Sequence, residues 1–397
     1  MSLLDRLKAQ IAQDGPIGVP EFFTRCLHDP RDGYYATRPE LGAGGDFITA
    51  PLVSQMFGEL IGLWAIETWI RMGRPAPFRL VEMGPGDGAL MSDLLRAARV
   101  APDFLAASDL WLVEVSAPLR AQQKARLGDT PRWVDRLDEV PAGAPMILVA
   151  NELLDCLPAR QFVRTKDGWA ERVIGLGDKG ELAFGLRSLG KSLPLDGGGA
   201  GVGVTAAVGV TAAVDDERRR QAANAEITPI PYPSPIKGEG GFSIGAVVES
   251  SPAQAALASD IAHRLVADGG AALLIDYGRD APEAGDTLQA VRDHQKVDPL
   301  TTAGLADLTV WADFPSVIAA ARETGAKAGP ILSQAQFLLA LGILDRAEAL
   351  AARQPEKTDQ IGRQLDRLLG EAQMGSLFKV ACLAAPGLSP PLFEDAT

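Results

Sequence analysis

Apolar positions follow two different periods along the chain, and the change between them divides the sequence into regions. Residues 51–72 carry apolar side chains at 52, 53, 56, 57, 60, 61, 63 and 64, which predicts one largely buried helix. Gly58 and Gly62 lie one turn apart on that helix, which predicts close approach by another backbone. From residue 78 onward, short apolar runs alternate with helical segments, and this indicates a doubly wound parallel sheet. The predicted strands are FRLVEMG (78–84), LWLVEV (110–115), WV (133–134), MILVAN (146–151) and AALLIDYG (271–278).

Further helices and hairpins are predicted around this sheet. The chain begins with a short amphipathic helix that contains Leu3 and Leu7, followed by Gly/Pro-rich sequence up to residue 50. The alternating segments QFVR, GWAERVIGL and ELAFGL are separated by Asp-Gly or Lys-Gly, which indicates β-hairpins attached to the sheet. The C-terminal third is predicted to be mostly helical, with helices over 335–353 and 359–370 and a final strand over 374–384.

Residues 189–241 differ in composition from the rest of the chain. The sequence GVTAAV occurs twice in tandem, and four prolines alternate with other residues between 229 and 235. Such low-complexity sequence cannot assemble a packed core, so we predict a disordered insertion that activity does not need. The predicted organisation is a helical cap over 1–72, a core over 73–188 and 242–300, and a mostly helical cap over 301–397 that ends in a strand.

Composition and charge narrow the possible partners. The chain has 38 Lys and Arg against 51 Asp and Glu, a net charge of −13, and 47% hydrophobic residues. This acidic balance argues against nucleic acid, because phosphate binding needs clustered basic side chains, and it favours cationic ligands. Three cysteines and three histidines show no disulfide or metal-binding spacing, so no metal is expected. Without a signal peptide or a long apolar run, the chain is predicted to be cytoplasmic and not inserted in a membrane.

A glycine loop follows the first predicted strand. Gly84, Gly86 and Gly88 allow a tight turn and let a ligand approach the backbone beside helix N–H groups. Read loosely, the same residues satisfy the GxGxxA pattern of NAD and FAD sites. Glu82 and Asp87 surround the loop with negative charge, which repels a pyrophosphate and attracts an ammonium or a sulfonium. S-adenosylmethionine carries both cations, so the sequence favours it over NAD.

Acidic residues also follow other strands of the predicted sheet. Glu114 ends the second strand, where a carboxylate can accept the ribose hydroxyls of an adenosine; the alternative is a solvated acid at a strand end. Asn151 ends the fourth strand, and Glu152 and Asp155 follow it, at the edge where ligands bind in open α/β sheets. Two carboxylates at this spacing could clamp a cationic nucleophile. The alternative is that Asn151 and Asp155 cap the turn and Glu152 is solvated.

Several long blocks are particular enough to indicate a family. They are GGDFITAPLVSQMFGELIGLW (44–64), EMGPGDGALMSDLL (82–95), VEVSAPLRAQQ (113–123), the NELLD loop (151–155), LIDYG (274–278), LQAVRDH (288–294), DLTVWADF (307–314) and MGSLFKV (374–380). Together they resemble the MidA family of class I S-adenosylmethionine-dependent methyltransferases along nearly the whole chain, except for 189–241. The resemblance implies an α/β, Rossmann-like class I methyltransferase core with S-adenosyl-L-methionine as cofactor.

The resemblance also implies a substrate. Mitochondrial members of this family, in the matrix, are complex I assembly factors that methylate an arginine on a core subunit. A protein arginine, on a respiratory complex I core subunit, is therefore the expected substrate. Three alternatives remain open: an assembly chaperone that binds the cofactor without turnover, a small-molecule methyltransferase and, disfavoured by Asp87, an NAD-linked oxidoreductase.

Site residues carry over by position in the matching blocks. Glu152 and Asp155 are the predicted catalytic residues, which would orient a planar guanidinium bidentately. The block that contains Phe47 resembles a family segment that covers the cofactor. With the charge argument included, the predicted cofactor-binding residues are Glu82, Gly84, Gly86, Asp87, Gly88, Glu114, Asn151, Asp46 and Thr49.

Weaker candidates are acids and polar residues in the same blocks or at the same sheet edge. Cys156 is predicted to be a packed residue, because nothing nearby in sequence would stabilise a thiolate. Glu59 and Glu249 are equally compatible with a site and a scaffold role. The other candidates are Asp276 and Tyr277 for lining the pocket, His294 and Asp307 for contacting the substrate, and Asp135 for the adenine amino group.

Overall fold

The computed structural model describes residues 1–37, 49–190 and 242–394. Asp46, Phe47 and all but the first two residues of the predicted insertion 189–241 lie outside these ranges. Residues 189 and 190 end a strand and do not belong to a separate segment. In the described ranges, no helix is both long and apolar enough to cross a membrane.

Strands and helices alternate through the central part of the described chain, as the hydrophobic pattern predicts. The strands are β1 (Ile17–Gly18), β2 (Phe78–Met83), β3 (Ser108–Val113), β4 (Arg132–Val134), β5 (Met146–Asn151), β6 (Arg160–Thr165), β7 (Gly168–Leu176), β8 (Leu182–Gly190), β9 (Val247–Ser250), β10 (Gly270–Arg279), β11 (Gln289–Arg292), β12 (Gln295–Val297), β13 (Asp307–Thr309), β14 (Ala312–Asp313), β15 (Lys327–Ala328), β16 (Leu332–Ser333) and β17 (Phe378–Ala384).

The helices precede, connect and follow these strands. They are α1 (Leu3–Asp14), α2 (Val19–His28), α3 (Tyr34–Thr37), α4 (Ala50–Val53), α5 (Gln55–Arg71), α6 (Ala89–Ala97), α7 (Pro102–Ala107), α8 (Ala117–Leu127), α9 (Pro252–Asp268), α10 (Phe314–Glu323), α11 (Gln334–Ala340), α12 (Ile343–Arg353), α13 (Thr358–Leu369) and α14 (Met374–Leu377).

The main sheet positions the candidate site. Its order is β15-β17-β10-β5-β2-β3-β4, with β14 beside β10 and β16 beside β17. The five strands from β10 to β4 are parallel, whereas β17 runs antiparallel to β10. The chain leaves β2 toward β3 and β4, then returns to place β5 on the other side of β2. A crevice therefore opens between the carboxyl ends of β2 and β5, where an α/β sheet binds its ligands.

Helices cover both faces of this sheet, and two glycines set the closest helix pair. A Cβ on Gly58 would lie 2.7 Å from the Asp93 Cβ, and one on Gly62 would lie 2.9 Å from the Leu94 carbonyl oxygen of α6. The predicted close approach on the buried helix is therefore confirmed. The predicted hairpins are also confirmed, because β6, β7 and β8 pair antiparallel in a second sheet.

Three predicted elements differ in the structure. The helix predicted over 51–72 is interrupted at Ser54, whose backbone is extended and whose hydroxyl accepts from the Met56 N–H to begin α5. The helix predicted over 335–353 divides at Gly342, which has a left-handed φ of 83°. Residues 374–377 of the predicted final strand form α14, because pairing with β10 starts only at Phe378.

The terminal regions hold elements that the hydrophobic pattern did not reveal. Helix α2 lies in sequence interpreted as a Gly/Pro-rich loop, where Pro20 occupies the first turn of the helix, a position that tolerates proline. Residues 301–397, interpreted as mostly helical with a final strand, contribute β14, β15 and β16 to the main sheet in addition to the predicted final strand β17. That sheet therefore continues past residue 300.

Candidate active site

A cavity occupies the crevice at the carboxyl ends of β2 and β5. Its lining comes from the glycine loop, the start of α8, the loop after β5, the N-terminal helices and β13. Six acids line it and, among the described residues, no Lys or Arg does; the acids are Glu82, Asp87, Glu114, Glu152, Asp155 and Asp307. This lining favours a cationic ligand and opposes the pyrophosphate of NAD.

The glycine loop needs glycine because of its backbone conformation. Gly84, Gly86 and Gly88 have φ values of 65°, 56° and 81°, a region that L side chains rarely adopt. A Cβ on Gly84 would also lie 3.0 Å from the Leu153 side chain. The loop leads into α6, whose Ala89 N–H donates to the Asp87 carboxylate at 3.0 Å.

Gln123 joins this loop to Glu114. Its fully buried amide donates to the Gly86 carbonyl at 2.7 Å and to Glu114 Oε2 at 3.2 Å, and its oxygen accepts from the Trp133 indole. The other oxygen of Glu114 accepts from the Ser116 N–H at 2.7 Å. Burial raises the pKa of Glu114 despite these donors. Each carboxylate oxygen keeps one lone pair, the arrangement that two ligand hydroxyls would need.

Two buried oxygens beside the glycine loop make no hydrogen bond within the described chain. They are Oε2 of Glu82 and Oδ1 of Asn151, and both residues line the cavity. An unpaired buried polar atom costs about 1–3 kcal/mol. Burial and the charges of Asp87 and Glu114 raise the pKa of Glu82 well above its usual range. The residues therefore fit a ligand with an ammonium, such as S-adenosylmethionine, which would supply donors and neutralise charge; we call this part, with the loop and Glu114, the cofactor half.

Asp87 contributes less charge to the cavity than the sequence suggested. Its carboxylate caps α6 and also forms an ion pair with Arg126 of α8. The cavity therefore opposes a pyrophosphate mainly through Glu82 and Glu114, which form no ion pair with a basic side chain of the described residues.

Glu152 begins the loop after β5 in a strained conformation. Its φ of 54° is left-handed, which costs of the order of 1–3 kcal/mol and is typical of functional sites. Oε1 accepts from the Ala50 N–H at 3.0 Å and from the Asn151 amide at 2.9 Å, whereas Oε2 makes no hydrogen bond with the described residues. Burial raises the pKa of Glu152 to about 7, against the effect of the Ala50 donor.

Asp276 fixes the rest of that loop. Its fully buried carboxylate accepts from the backbone N–H groups of Leu154, Asp155 and Tyr277 at 2.8, 3.1 and 2.8 Å. Burial and the charges of Asp155 and Glu152 raise its pKa well above the usual range. Asp276 thus positions Asp155 and does not itself line the cavity.

Side chains from three distant parts of the chain also line the cavity. The Val310 N–H donates to the Asp155 carbonyl at 3.1 Å and so brings β13 beside the loop. The Tyr35 hydroxyl of α3 lies 3.4 Å from Asp307 Oδ1 and 2.9 Å from Cys156 Sγ. We call the part of the cavity lined by Tyr35, Asp155, Tyr277, Asp307 and Thr309 the acidic half.

The structure brings most of the predicted site residues together. The cavity lining includes the following predicted cofactor-binding and catalytic residues: Glu82, Gly84, Gly86, Asp87, Glu114, Asn151, Thr49, Glu152 and Asp155. Gly88 completes the loop next to them, and Asp46 lies outside the described residues. The weaker candidates Tyr277, Asp307 and Cys156 also line the cavity. Burial raises the pKa of the Cys156 thiol, which opposes a thiolate there.

Besides Asp276, four weaker candidates lie outside the cavity lining. Glu59 pairs with Arg96 and Arg346, and thus ties α5 to α6 and α12. Glu249 is buried against Arg279 at 3.1 Å and also accepts from Thr287 and Gln161. Both are scaffold residues. Asp135 is exposed and pairs with Arg120, and His294 is exposed in the turn between β11 and β12.

Several lining residues carry no local sequence signal. His28 and Tyr35 lie in the N-terminal region, and their rings stack with centroids 5.7 Å apart. Burial lowers the pKa of His28 to about 4, so its imidazole is neutral near pH 7. Thr309 in the lining, and Gln123, which contacts Glu114 without lining the cavity, lie inside blocks that the sequence analysis quoted, but nothing local marks them. In the described ranges no group of His, Cys, Asp and Glu side chains could hold a metal ion.

Comparisons with known proteins agree with this geometry. A family model described as an S-adenosyl-L-methionine-dependent methyltransferase matches residues 60–331. The mitochondrial protein arginine methyltransferase NDUFAF7 of Danio rerio is 32% identical, over 95% of this chain and 86% of that protein. The human protein of the same name is 30% identical, over 96% of this chain and 83% of its own length.

A solved structure is similar over nearly the whole fold. It is a methyl transferase candidate from Burkholderia thailandensis bound to S-adenosyl-homocysteine, with a TM-score of 0.74 and 26% identity, covering 96% of this chain and 91% of that one. The cavity, its cationic preference and these matches lead to one conclusion. The chain belongs to the MidA family of class I S-adenosylmethionine-dependent methyltransferases.

Proposed function

We propose that this methyltransferase modifies an arginine side chain of a protein, on a core subunit of respiratory complex I during assembly. The proposal rests on one observation: a single cavity contains both the cofactor half and the acidic half. One half fits the cofactor, and the other presents the carboxylates of Asp155 and Asp307 to a second cation. The relatives named protein arginine methyltransferase support the substrate class.

S-adenosylmethionine, when bound, supplies an electrophilic methyl group. Glu82, Glu114, Asn151, Asp87, Thr49, Asp46 and the three loop glycines are the proposed cofactor contacts. A guanidinium remains protonated near neutral pH because its pKa exceeds about 12, so its attacking nitrogen has to be oriented by acids. In-line attack requires that nitrogen to be held roughly 3–3.5 Å from the methyl carbon. Asp155, held by Asp276, is the proposed orienting residue.

Glu152 is the proposed proton acceptor. The nitrogen lone pair forms the new N–C bond, the S–C bond breaks with its electrons on sulfur, and one guanidinium N–H proton must leave. Glu152 Oε2 makes no hydrogen bond with the described residues, and a pKa of about 7 suits a base that works near neutral pH. The two carboxylates therefore have different proposed roles: Glu152 accepts the proton, and Asp155 orients the guanidinium.

The test is direct transfer of a labelled methyl group. Isolated complex I core subunits are incubated with the purified chain and methyl-labelled S-adenosylmethionine, and the modified residue is located by mass spectrometry. We expect label on arginine, reduced roughly 10²–10⁴-fold by Glu152→Gln and strongly reduced by Asp155→Asn. Glu323→Gln, an exposed acid at the end of α10, is the matched control and should keep full activity.

Two other outcomes would reject the proposal. Label recovered only in small molecules would favour a small-molecule methyltransferase. Full support of complex I assembly by a Glu152→Gln, Asp155→Asn double variant that transfers no methyl group would favour a chaperone. We also propose a cytoplasmic location in a bacterial cell. Fractionation of cells whose membranes contain complex I checks that location.

A further inference from the structure

A chain of two hydrogen bonds ends on Asp155. The Tyr35 hydroxyl lies 2.9 Å from Cys156 Sγ, and the Cys156 thiol donates to Asp155 Oδ1 at 3.1 Å. All three residues line the cavity. Because 121 positions separate Tyr35 from Cys156 in the sequence, this chain forms only when α3 packs beside the loop after β5.

Both donors keep their protons near neutral pH. Burial raises the pKa of the Tyr35 hydroxyl well above its usual range, and the charge of Asp307 adds to that rise. Burial and the charge of Asp155 raise the pKa of the Cys156 thiol in the same way. The hydroxyl and the thiol therefore each bring one hydrogen to the chain, and each can donate it to one acceptor.

The distances indicate in which direction these two hydrogens point. Tyr35 also lies 3.4 Å from Asp307 Oδ1, so two carboxylates compete for the chain. Donation toward Asp307 uses this longest contact and turns the thiol hydrogen away from Asp155. Donation toward Asp155 uses the contacts of 2.9 and 3.1 Å and gives the thiol hydrogen to a carboxylate, a better acceptor than a phenol oxygen. The hydrogens therefore point from Tyr35 through Cys156 to Asp155.

Asp155 is thus held through both its side chain and its main chain. Burial raises its pKa, and hydrogen bonds from the Tyr277 hydroxyl and the Cys156 thiol oppose that rise and favour the charged carboxylate. The Asp276 carboxylate of β10 accepts from the Asp155 N–H at 3.1 Å. Support from several elements is what a residue needs when it has to orient a substrate closely.

The Tyr35 ring is fixed by packing that does not involve its hydroxyl. It stacks on His28 with centroids 5.7 Å apart and meets Tyr34 edge to face at 5.3 Å. The Ser116 hydroxyl, at the start of α8, donates to the Tyr35 carbonyl at 3.4 Å and ties α3 to the cofactor half. Removing the hydroxyl alone should therefore leave the ring in place.

We propose that Tyr35 and Cys156 are positioning residues for the methyl transfer: their two hydrogen bonds hold one carboxylate oxygen of Asp155 and leave its remaining lone pairs to orient the substrate guanidinium. This inference rests on the proposed function, in which Asp155 orients that group. It gives a role to a thiol that the sequence analysis interpreted as a packed side chain. Both residues act through Asp155 and not on the reacting atoms.

Three substitutions test the chain in methyl transfer to isolated complex I core subunits. Tyr35→Phe removes only the hydroxyl, and Cys156→Ala removes the thiol. We expect both to lower kcat/KM for the protein substrate roughly tenfold, with the KM for S-adenosylmethionine unchanged. Cys156→Ser supplies a stronger donor and should recover most of the activity that Cys156→Ala loses. The matched controls are Tyr34→Phe and Cys382→Ala, which lie outside the cavity lining and should keep the wild-type kcat/KM.

An infrared measurement tests the chain without substrate or turnover. Subtracting the spectrum of Cys156→Ser identifies the S–H stretching band of Cys156. A thiol that donates to a carboxylate absorbs at a lower frequency than one that donates to a neutral amide, so Asp155→Asn should raise the frequency of this band. Tyr35→Phe should shift the band as well, because it removes the donor that polarises the thiol. Tyr34→Phe should leave it unchanged.

The outcomes separate this inference from the proposed function. A Cys156 band that neither Asp155→Asn nor Tyr35→Phe moves, or equal losses of activity in Cys156→Ser and Cys156→Ala, would overturn the positioning role. Arginine methylation with wild-type kinetics in a folded Tyr35→Phe protein would also overturn it and keep the function. The expected band shifts, without methylation of any protein arginine, would keep the hydrogen-bonded hold on Asp155 and reject the function.

Discussion

Replacing Glu114 by glutamine tests the cofactor half most directly. In the structure each carboxylate oxygen already accepts one internal hydrogen bond, from the Ser116 N–H and from the Gln123 amide. Both neighbours are donors. A glutamine amide can place its single oxygen toward only one of them, and its NH₂ group then faces the other donor or the ligand.

The expected cost follows from the bonds that the variant loses. Hydrogen bonds to a charged group contribute about 1.5–3 kcal/mol, and a neutral amide keeps only part of that. We therefore expect Glu114→Gln to weaken S-adenosylmethionine binding roughly 10- to 150-fold, since about 1.4 kcal/mol corresponds to a factor of ten. Burial raises the pKa of Glu114, so ionising it costs folding free energy at neutral pH. The glutamine removes that cost but leaves one buried donor without its acceptor, so the two effects on the stability of the free protein oppose each other.

Isothermal titration with S-adenosylmethionine and with S-adenosylhomocysteine measures the effect, and urea unfolding of the free protein measures stability. The matched control is Asp129→Asn, whose exposed carboxylate lies just after α8 and pairs with Lys124 at the surface. A Glu114→Gln protein that binds within twofold of the wild type would refute the assignment of Glu114 to the ribose hydroxyls. Equal losses in both variants would show that the effect is not specific to this cavity.

Three further predictions concern the scaffold and the loops. Glu59→Gln removes a carboxylate that pairs with arginines of α6 and α12, and urea unfolding should show a loss of about 2 kcal/mol. Gly84→Ala should lower the free energy of unfolding by about 1–2 kcal/mol and weaken cofactor binding in calorimetry, because the φ of Gly84 is 65° and the added Cβ crowds the loop after β5. The control is Gly15→Ala, where φ is 88° and the added Cβ meets open space, so this variant should lose stability without a loss of cofactor binding. Glu152 has a folded pKa of about 7 against 4.5 when unperturbed, so its contribution to stability is complete below pH 4.5 and is lost as the pH rises through 7, by roughly 3 kcal/mol. Unfolding measured from pH 5 to pH 8.5 should show that loss in the wild type and not in Glu152→Gln; identical pH profiles would contradict it.

The two halves of the cavity differ in how many of their residues could be predicted from the sequence alone. The cofactor half is built from residues at or next to the ends of predicted strands, so Glu82, Glu114 and Asn151 could be named before the structure was known. Apolar residues repeat every two positions in strands and every 3.6 positions in helices, and these patterns depend only on neighbouring residues. They place the ends of the strands within one or two residues. Parallel strands then bring those ends to one edge, because their direction is shared.

In the acidic half the sequence named Asp155, Tyr277 and Asp307 as candidates, but it could not predict that they line one cavity together with Tyr35 and Thr309. Tyr35 and Asp307 are 272 positions apart, and they meet because α3 and β13 both pack beside the loop after β5. The hydrophobic periodicity of a short segment carries no information about which distant segment it will contact. The same holds for Glu59, which looked equally suited to a site and a scaffold until Arg346 was found against it.

The amino-acid sequence by itself therefore determined the α/β class, the parallel core, the glycine loop and the preference for a cationic cofactor, since these depend on local periodicity and residue chemistry. Tertiary structure decided where helices break, at Ser54 and Gly342, and which acids share one cavity. The physical reason is that strand and helix patterns arise from neighbouring residues. Burial and raised pKa values arise only when distant segments exclude water together.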